Sequence, residues 1–295
     1  MSRLLCSWAW KCAAALLLLL SLAVLNNNYS LRQVPRGEFR DRVDRAVEDS
    51  TNWMSGHQEI LGNPSLMFMV SDMAKMSGDP RLRRMLDEYR HSKYVTKSFA
   101  PFGPVWAHMV DPQAPVPMMD LTQVPDQDIF EVLWDAYAIA PGQVMISNSQ
   151  RANMFSPTKY YWGRRSHQLL ALEMYRYNNG GSEELNSTIN HHAEKVARDA
   201  HFDFRINDFY VQRVAFILAA ARPDLIRSRW VERILDYQRA IGSWAYCWYG
   251  WCRGIFEFSL GDFGPDHPTV QAAWALYMLK YQYPQWIEQH YHSWK

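Results

Sequence analysis

Apolar residues recur at helical spacing along most of this chain, and the exceptions are as informative as the rule. Near the start, Ala13 to Leu25 (AAALLLLLSLAVL) is an almost unbroken apolar run of 13 residues. Beyond it, Phe39, Val43, Ala46 and Val47 form one stripe and predict a helix over 38–53. Pro64 suits the first turn of a helix reaching Met76, with Gly78 as its stop. Asp79 then caps a helix to Tyr89, with Pro80 at its first position. Six prolines between 101 and 125 forbid a long regular element, so 98–125 is expected as a large structured loop. A helix follows over 126–138, closed by Pro141-Gly142, and 143–163 reads as irregular. Helices are predicted at 165–178, 182–200, 208–221, 224–240 and 267–281, with a short tail helix at 284–292. Ser182 suits a helix start, and Asp208 and Asp224 can cap theirs.

The helices fall into two kinds. Those at 208, 267 and 165 are apolar around most of their circumference, as buried helices are, whereas 38–53, 182–200 and 224–240 carry charge on one face. A weak repeat runs through the first kind: Gln168, Gln212 and Gln271 each stand about one turn into the helix. Alternation of buried and half-exposed helices is what two layers of paired helices require. The expected class is therefore all-α.

Composition narrows the function classes. The chain has 295 residues, 48% hydrophobic and 21% charged, which supports a sizeable core and excludes global disorder. A formal charge of +1, with no basic block and no nucleic-acid-binding motif, argues against a nucleic-acid partner. There is no His-Glu-x-x-His, Gly-x-Ser-x-Gly, P-loop or Gly-x-Gly-x-x-Gly, so no cofactor is expected. The chain is rich in Trp (13), Tyr (16), Phe (13) and Met (14), which suit either a large core or the wall of a funnel.

Arg3 and Lys11 before the apolar run, and Asn26-Asn27-Asn28 after it, give 1–29 the form of a cleaved signal peptide or an uncleaved signal anchor. Ser21-Leu22-Ala23 offers small residues for cleavage. The segment 30–37 reads as a linker and 38–295 as the folded domain. Arg32, Arg36, Arg40 and Arg42 would hold that domain on the cytoplasmic side. Two acceptor patterns for glycans, Asn28-Tyr29-Ser30 and Asn186-Ser187-Thr188, point the other way. So does the isolated pair Cys247 and Cys252, which fits one disulfide in an exported body. The same pair could hold zinc with His267 or remain as two free thiols. On balance the body is expected outside the cytoplasm, with the membrane as partner through the leader.

Gln238-Arg-Ala-Ile-Gly242-Ser-Trp244 fits a Q-x-x-x-G-x-W pattern. It resembles the QW repeat of the terpenoid cyclase and protein prenyltransferase superfamily, and Asp266 to Leu276 resembles the inner helix that follows such a repeat there. The resemblance implies a full or partial α/α toroid with a cavity at the ends of its inner helices. It does not bring the activity, because the cyclases' D-x-D-D and the prenyltransferases' D-x-C are both missing.

Two polar segments lead into expected inner helices: Asp199 to Asp208, with His201, Asp203 and Arg205, and Asp262 to His267. Carboxylates and histidines gathered at such a mouth can do general acid–base work. His201, Asp203, Asp208, Asp266 and His267 are the candidate catalytic residues. The plainer alternative makes Asp208 and Asp266 helix caps and Arg205 an ion-pair partner. Tyr161 and Arg165, entering a third inner helix, join Arg205 as candidate binding groups for a sugar or carboxylate. His191 and His192, on a charged outer helix, are expected to be solvated. The expected function is that of a membrane-associated enzyme acting on a carbohydrate or lipid-linked substrate. A non-catalytic tethered scaffold is the alternative, and a mouth plugged by 98–125 would favour it.

Overall fold

The structure, a computed structural model, describes residues 2–29, 35–92, 103–124, 130–157, 163–203, 208–245 and 265–289. Its helices begin where side chains supply the backbone partners that a helix end lacks. After α1 (Ser2–Asn28) and α2 (Arg36–Ser55), a short 3-10 turn leads to α3 (Pro64–Ser77). There Asn63 Oδ1 accepts from the amides of Ser65 (3.1 Å) and Leu66 (3.3 Å), and Gly78, at φ 70°, closes the far end. Asp79 Oδ1 caps α4 (Pro80–Arg90) through the Arg81 amide at 2.8 Å. The order continues with α5 (Gly103–Val110), α6 (Phe130–Ile139), α7 (Asn148–Phe155), α8 (Gly163–Asn179) and α9 (Glu183–Phe202). It ends with α10 (Asp208–Ala219), α11 (Ser228–Asp236), α12 (Asp266–Tyr277) and α13 (Pro284–Gln289). Ser182 caps α9 through the Leu185 amide at 3.1 Å. The strands among the described residues are a two-residue parallel pair, Met119–Asp120 with Val144–Met145. The chain is all-α.

Packing separates the helices as their patterns predict. α3 contacts α12, α12 contacts α10, α10 contacts α8, α8 contacts α6, α6 contacts α5, and α5 contacts α3 again. These helices are the most buried: every residue of α10 from Tyr210 to Leu218, and of α12 from Pro268 to Tyr277, lies in the core. α2, α4 and α9 lie against them with one buried stripe each, such as Leu185, Ile189, Ala193, Val196 and Ala200 on α9.

Several elements depart from the sequence pattern, each for a local reason. Part of the proline-rich segment is α5, because Pro104 falls in a first turn, where the missing N–H has no intrahelical role. The stretch 143–163 contains α7, started by a capping box in which Ser147 and Gln150 satisfy each other's backbone amides. The helix expected over 224–240 is only Ser228–Asp236. Pro223–Leu225 is a 3-10 turn, Asp224 pairs with Arg222 at 2.8 Å instead of capping, and a turn at Gly242 ends the segment. Glu232 and Arg233 of α11, expected to face water, are buried because the end of α1 covers them. His192 is also buried, at 1% exposure, and both its ring nitrogens lack partners among the described residues. Asn28, proposed as a glycan acceptor, is 5% exposed and its amide donates to the carbonyls of His201 and Val24, both at 2.7 Å. A glycan cannot be attached there in this packing.

Buried ionisable groups tie the helices together or set how stability depends on pH. Asp203, just past the end of α9, pairs with Arg213 of α10 at 2.6 Å, with side-chain exposures of 3% and 1%. Asp203→Asn should cost about 3 kcal/mol in denaturant unfolding, because it leaves the guanidinium in a dry site without its counter-charge. Glu173 and His192 oppose each other in pH dependence. Burial raises the Glu173 carboxyl to about 7 despite Arg176 at 2.6 Å, and its second oxygen is buried without a partner among the described residues. Burial, with the nearby His191, lowers His192 to about 4. Between about pH 4.5 and 7 the folded state holds a proton on Glu173 that the unfolded chain has lost, so stability falls as pH rises. Between about pH 6.5 and 4 the unfolded chain takes up a proton on His192 that the folded state refuses, so stability falls as pH drops. Relative to the parent, Glu173→Gln should gain stability with rising pH, and His192→Phe should gain it with falling pH. Urea unfolding at pH 5, 6 and 8 reads both, by up to about 3 kcal/mol at the extremes.

Candidate functional site

The starts of α8, α10 and α12 carry the polar residues that face one another. Residues four apart lie on one side of a helix. On α10, Asp208, Gln212 and Phe216 share such a side; on α12, His267, Gln271 and Trp274 do. Each stripe is polar at its first turn and aromatic about 11 Å further along the axis. The aromatic layer is continuous: Phe216 to Trp274 (6.2 Å between centroids), Trp274 to Phe68 of α3 (5.9 Å), and Phe68 to Trp106 of α5 (6.3 Å). The Trp274 indole N–H is held by Asp72 at 2.7 Å. The polar groups thus sit over an aromatic floor.

In the polar layer, His267 Nδ1 donates to Asp208 Oδ1 at 2.6 Å. A carboxylate accepts only, so the proton of the neutral ring stays on Nδ1 and Nε2 carries the lone pair. Gln271 Nε2 stands 3.4 Å from that nitrogen, long for a hydrogen bond. A second histidine is set the same way. Gln212 Nε2 donates to His167 Nε2 at 2.8 Å, while Gln212 Oε1 accepts from Ser166 Oγ at 3.3 Å. Beside His267, Asp266 has an Oδ1 that is buried without a partner among the described residues. Burial, then the negative charge of Glu59, raises the Asp266 carboxyl above its usual range, against the opposing charges of His57 and His267.

The structure brings Asp208 and His267 of the predicted set into direct contact, with Asp266 next in the chain. It places Asp203 in its ion pair with Arg213 instead. His201 lies in the last turn of α9, its ring against Phe202 (4.9 Å), and burial, then Arg227, lowers its pKa. Arg165 pairs with Asp199 at 2.9 Å, joining the start of α8 to the end of α9. Tyr161, Arg205, Cys247 and Cys252 lie outside the described residues. Gln212, Gln271 and His167 were not among the predicted site residues. Their signal was the glutamine repeat, which places two of them one turn below Asp208 and His267. Gln168, the third of the repeat, instead holds the carbonyls after α7, at 2.8 Å from those of Met154 and Ser156.

A surface groove of about 600 Å³ lies elsewhere, between α7, the end of α8 and the start of α9, lined by Arg151, Phe155, Tyr175, Asn179, Ser182 and Glu184. None of the acid–base candidates reaches it. No protein-family model, curated protein or solved structure matches the chain.

Proposed function

We propose that the chain is a membrane-anchored α/α toroid, its inner ring formed by α3, α5, α6, α8, α10 and α12, with an acid–base active site at one mouth. The return of the helix contacts to α3 supports the ring, and so does the stitching at Gln238 and Trp244. The observation that carries the enzymatic reading is the Asp208–His267 contact at 2.6 Å beside Asp266, whose carboxyl is raised above its usual range by burial and whose Oδ1 has no partner among the described residues. In this reading Asp208 orients His267, His267 Nε2 takes a proton from substrate or water, and Asp266 returns one to the leaving group. The substrate is a carbohydrate or lipid-linked molecule, its apolar part on the aromatic floor and its polar part met by Arg165, Tyr161 and Arg205.

The test is comparative. Purified full-length protein is incubated with total lipid and glycan extracts, and the products are compared by mass spectrometry with those of His267→Ala. A compound consumed by the parent and left by the variant supports the reading; identical profiles overturn it. Export of the body is part of the proposal, supported by the exposed Asn186 and by the Cys247/Cys252 pair. Alkylation of the protein in its own membranes should then leave both cysteines unmodified until reduction.

A further inference from the structure

The end of α1 is built into the folded body. From Trp10 to Asn28 the helix is long and apolar enough to cross a bilayer, and it is almost wholly uncovered. At Asn26 to Asn28 this changes abruptly. Asn27 Nδ2 donates to the carbonyls of Ala200 (2.9 Å) and His201 (3.1 Å), and Arg233 donates to Asn27 Oδ1. The Trp230 indole donates to Asn28 Oδ1 at 3.1 Å, and Arg229 Nε to the Asn26 carbonyl at 3.1 Å. Three successive residues, still helical, are thereby bonded to the end of α9 and to α11. No linker separates the apolar helix from this clasp.

The clasp lies at the same end of the fold as the polar mouth. Arg233, which holds Asn27, stacks over the ring of Tyr210 at 5.4 Å, and Tyr210 is in the first turn of α10, two residues from Asp208. Asp203, two residues beyond His201, is fixed to α10 through Arg213. Arg165 brings the start of α8 to the same end of α9. The surface around the clasp has the make-up of an interfacial belt. Phe202 and Tyr29 are exposed, Arg227 lies over the Tyr29 ring at 5.3 Å, and Arg198 is exposed nearby on α9. Aromatic rings and snorkelling arginines of this kind sit at headgroup depth.

We infer that the asparagine clasp fixes the end of the apolar helix to the body and seats the mouth against the bilayer, so that the Asp208–His267 site takes a membrane-resident amphiphile entering from the lipid side. This rests on the membrane and active-site readings above and selects the lipid-linked class within them.

The test uses full-length protein in phosphatidylcholine–phosphatidylglycerol vesicles doped with a phosphatidylethanolamine bearing a headgroup diazirine. After irradiation, adducts are mapped by mass spectrometry. Adducts within 198–202 and 227–229, with 175–180 unmodified, are expected. Adducts confined to α1, or equal labelling of 175–180, would overturn the seating while leaving the anchor standing. In Asn27→Ala/Asn28→Ala, checked for unchanged helix content, the ratio of mouth to 175–180 adducts should fall at least tenfold; an unchanged ratio removes the clasp from the explanation. The parent map decides the seating even if that variant fails to fold. His267→Ala should leave the map unaltered, so failure of the chemistry is read separately. If the compound consumed in the comparative assay proves to be a soluble glycan, the amphiphile assignment falls and the catalytic one stands.

Discussion

Gly242→Ala should unfold the domain, or lower its stability by about 5 kcal/mol, in equilibrium denaturation. Gly242 stands at φ 91°, a conformation that L side chains rarely adopt. A Cβ built there would lie 2.2 Å from the carbonyl oxygen of Asp49 and 2.6 Å from its carbon. Both obstacles are backbone of α2, so neither can rotate away as a flexible side chain would. The turn is also the point where three helices are joined. Gln238 Nε2 donates to the Ala46 carbonyl of α2 (3.0 Å) and to the Gly242 carbonyl (3.1 Å). Trp244, 1% exposed, donates through its indole to the Ile234 carbonyl of α11 (2.7 Å) and through its amide to Thr269 of α12 (2.9 Å). Displacing Gly242 moves all of these together. Gly181→Ala, where an added Cβ would meet its nearest neighbour at 3.4 Å, is the matched control and should fold like the parent. A Gly242→Ala protein of parental stability would show that the α2–α11 approach is looser than this geometry.

What was legible in the sequence is what is decided locally. Pro64 with Gly78, Asp79 with Pro80, and Ser182 each act within one turn, and each marks the helix end that the structure shows. α5 and α7 were missed because each has eight residues, too short for a periodic stripe to outweigh the neighbouring prolines and polar residues. The charged face of α11 misled for a different reason. Arg233 and Glu232 are covered by α1, a contact between residues some 200 positions apart that no local pattern records. His192 misled in the same way, since a charged helix can still turn one imidazole inward. The site was half visible. Asp208, Asp266 and His267 could be picked out because they open helices that read as buried. Asp203 was picked out by the same rule, yet it serves Arg213. What the sequence lacked was the facing of the helices. Asp208–Gln212–Phe216 and His267–Gln271–Trp274 are both regular stripes, but only their opposition across the α10–α12 contact joins a carboxylate to an imidazole.

That opposition sets the largest kinetic effect expected. Asp208→Asn should lower turnover on the substrate found in the comparative assay about 10³- to 10⁴-fold, with KM nearly unchanged. The reason is the tautomer. Asp208 accepts from Nδ1 and so leaves the lone pair on Nε2. An asparagine can turn its amide N–H to the ring, which moves the lone pair to Nδ1 and presents Nε2–H where a base is needed. Volume and fold are conserved, so the loss falls on kcat, whereas a binding role for Asp208 would raise KM instead. Asp266 gives the second arm. Its carboxyl is held above the usual range by burial and by Glu59, so the protonated form persists to higher pH. A general acid of this kind loses activity as pH rises through its raised pKa. The parent should therefore show an alkaline limb in its pH profile for kcat. Asp266→Asn cannot deliver a proton, and should remove the alkaline limb while lowering the plateau. Glu59→Gln, which takes away a charge that raises Asp266, should move the alkaline limb to lower pH with the plateau kept. An alkaline limb that stays in place in Asp266→Asn would transfer the acid role to another group.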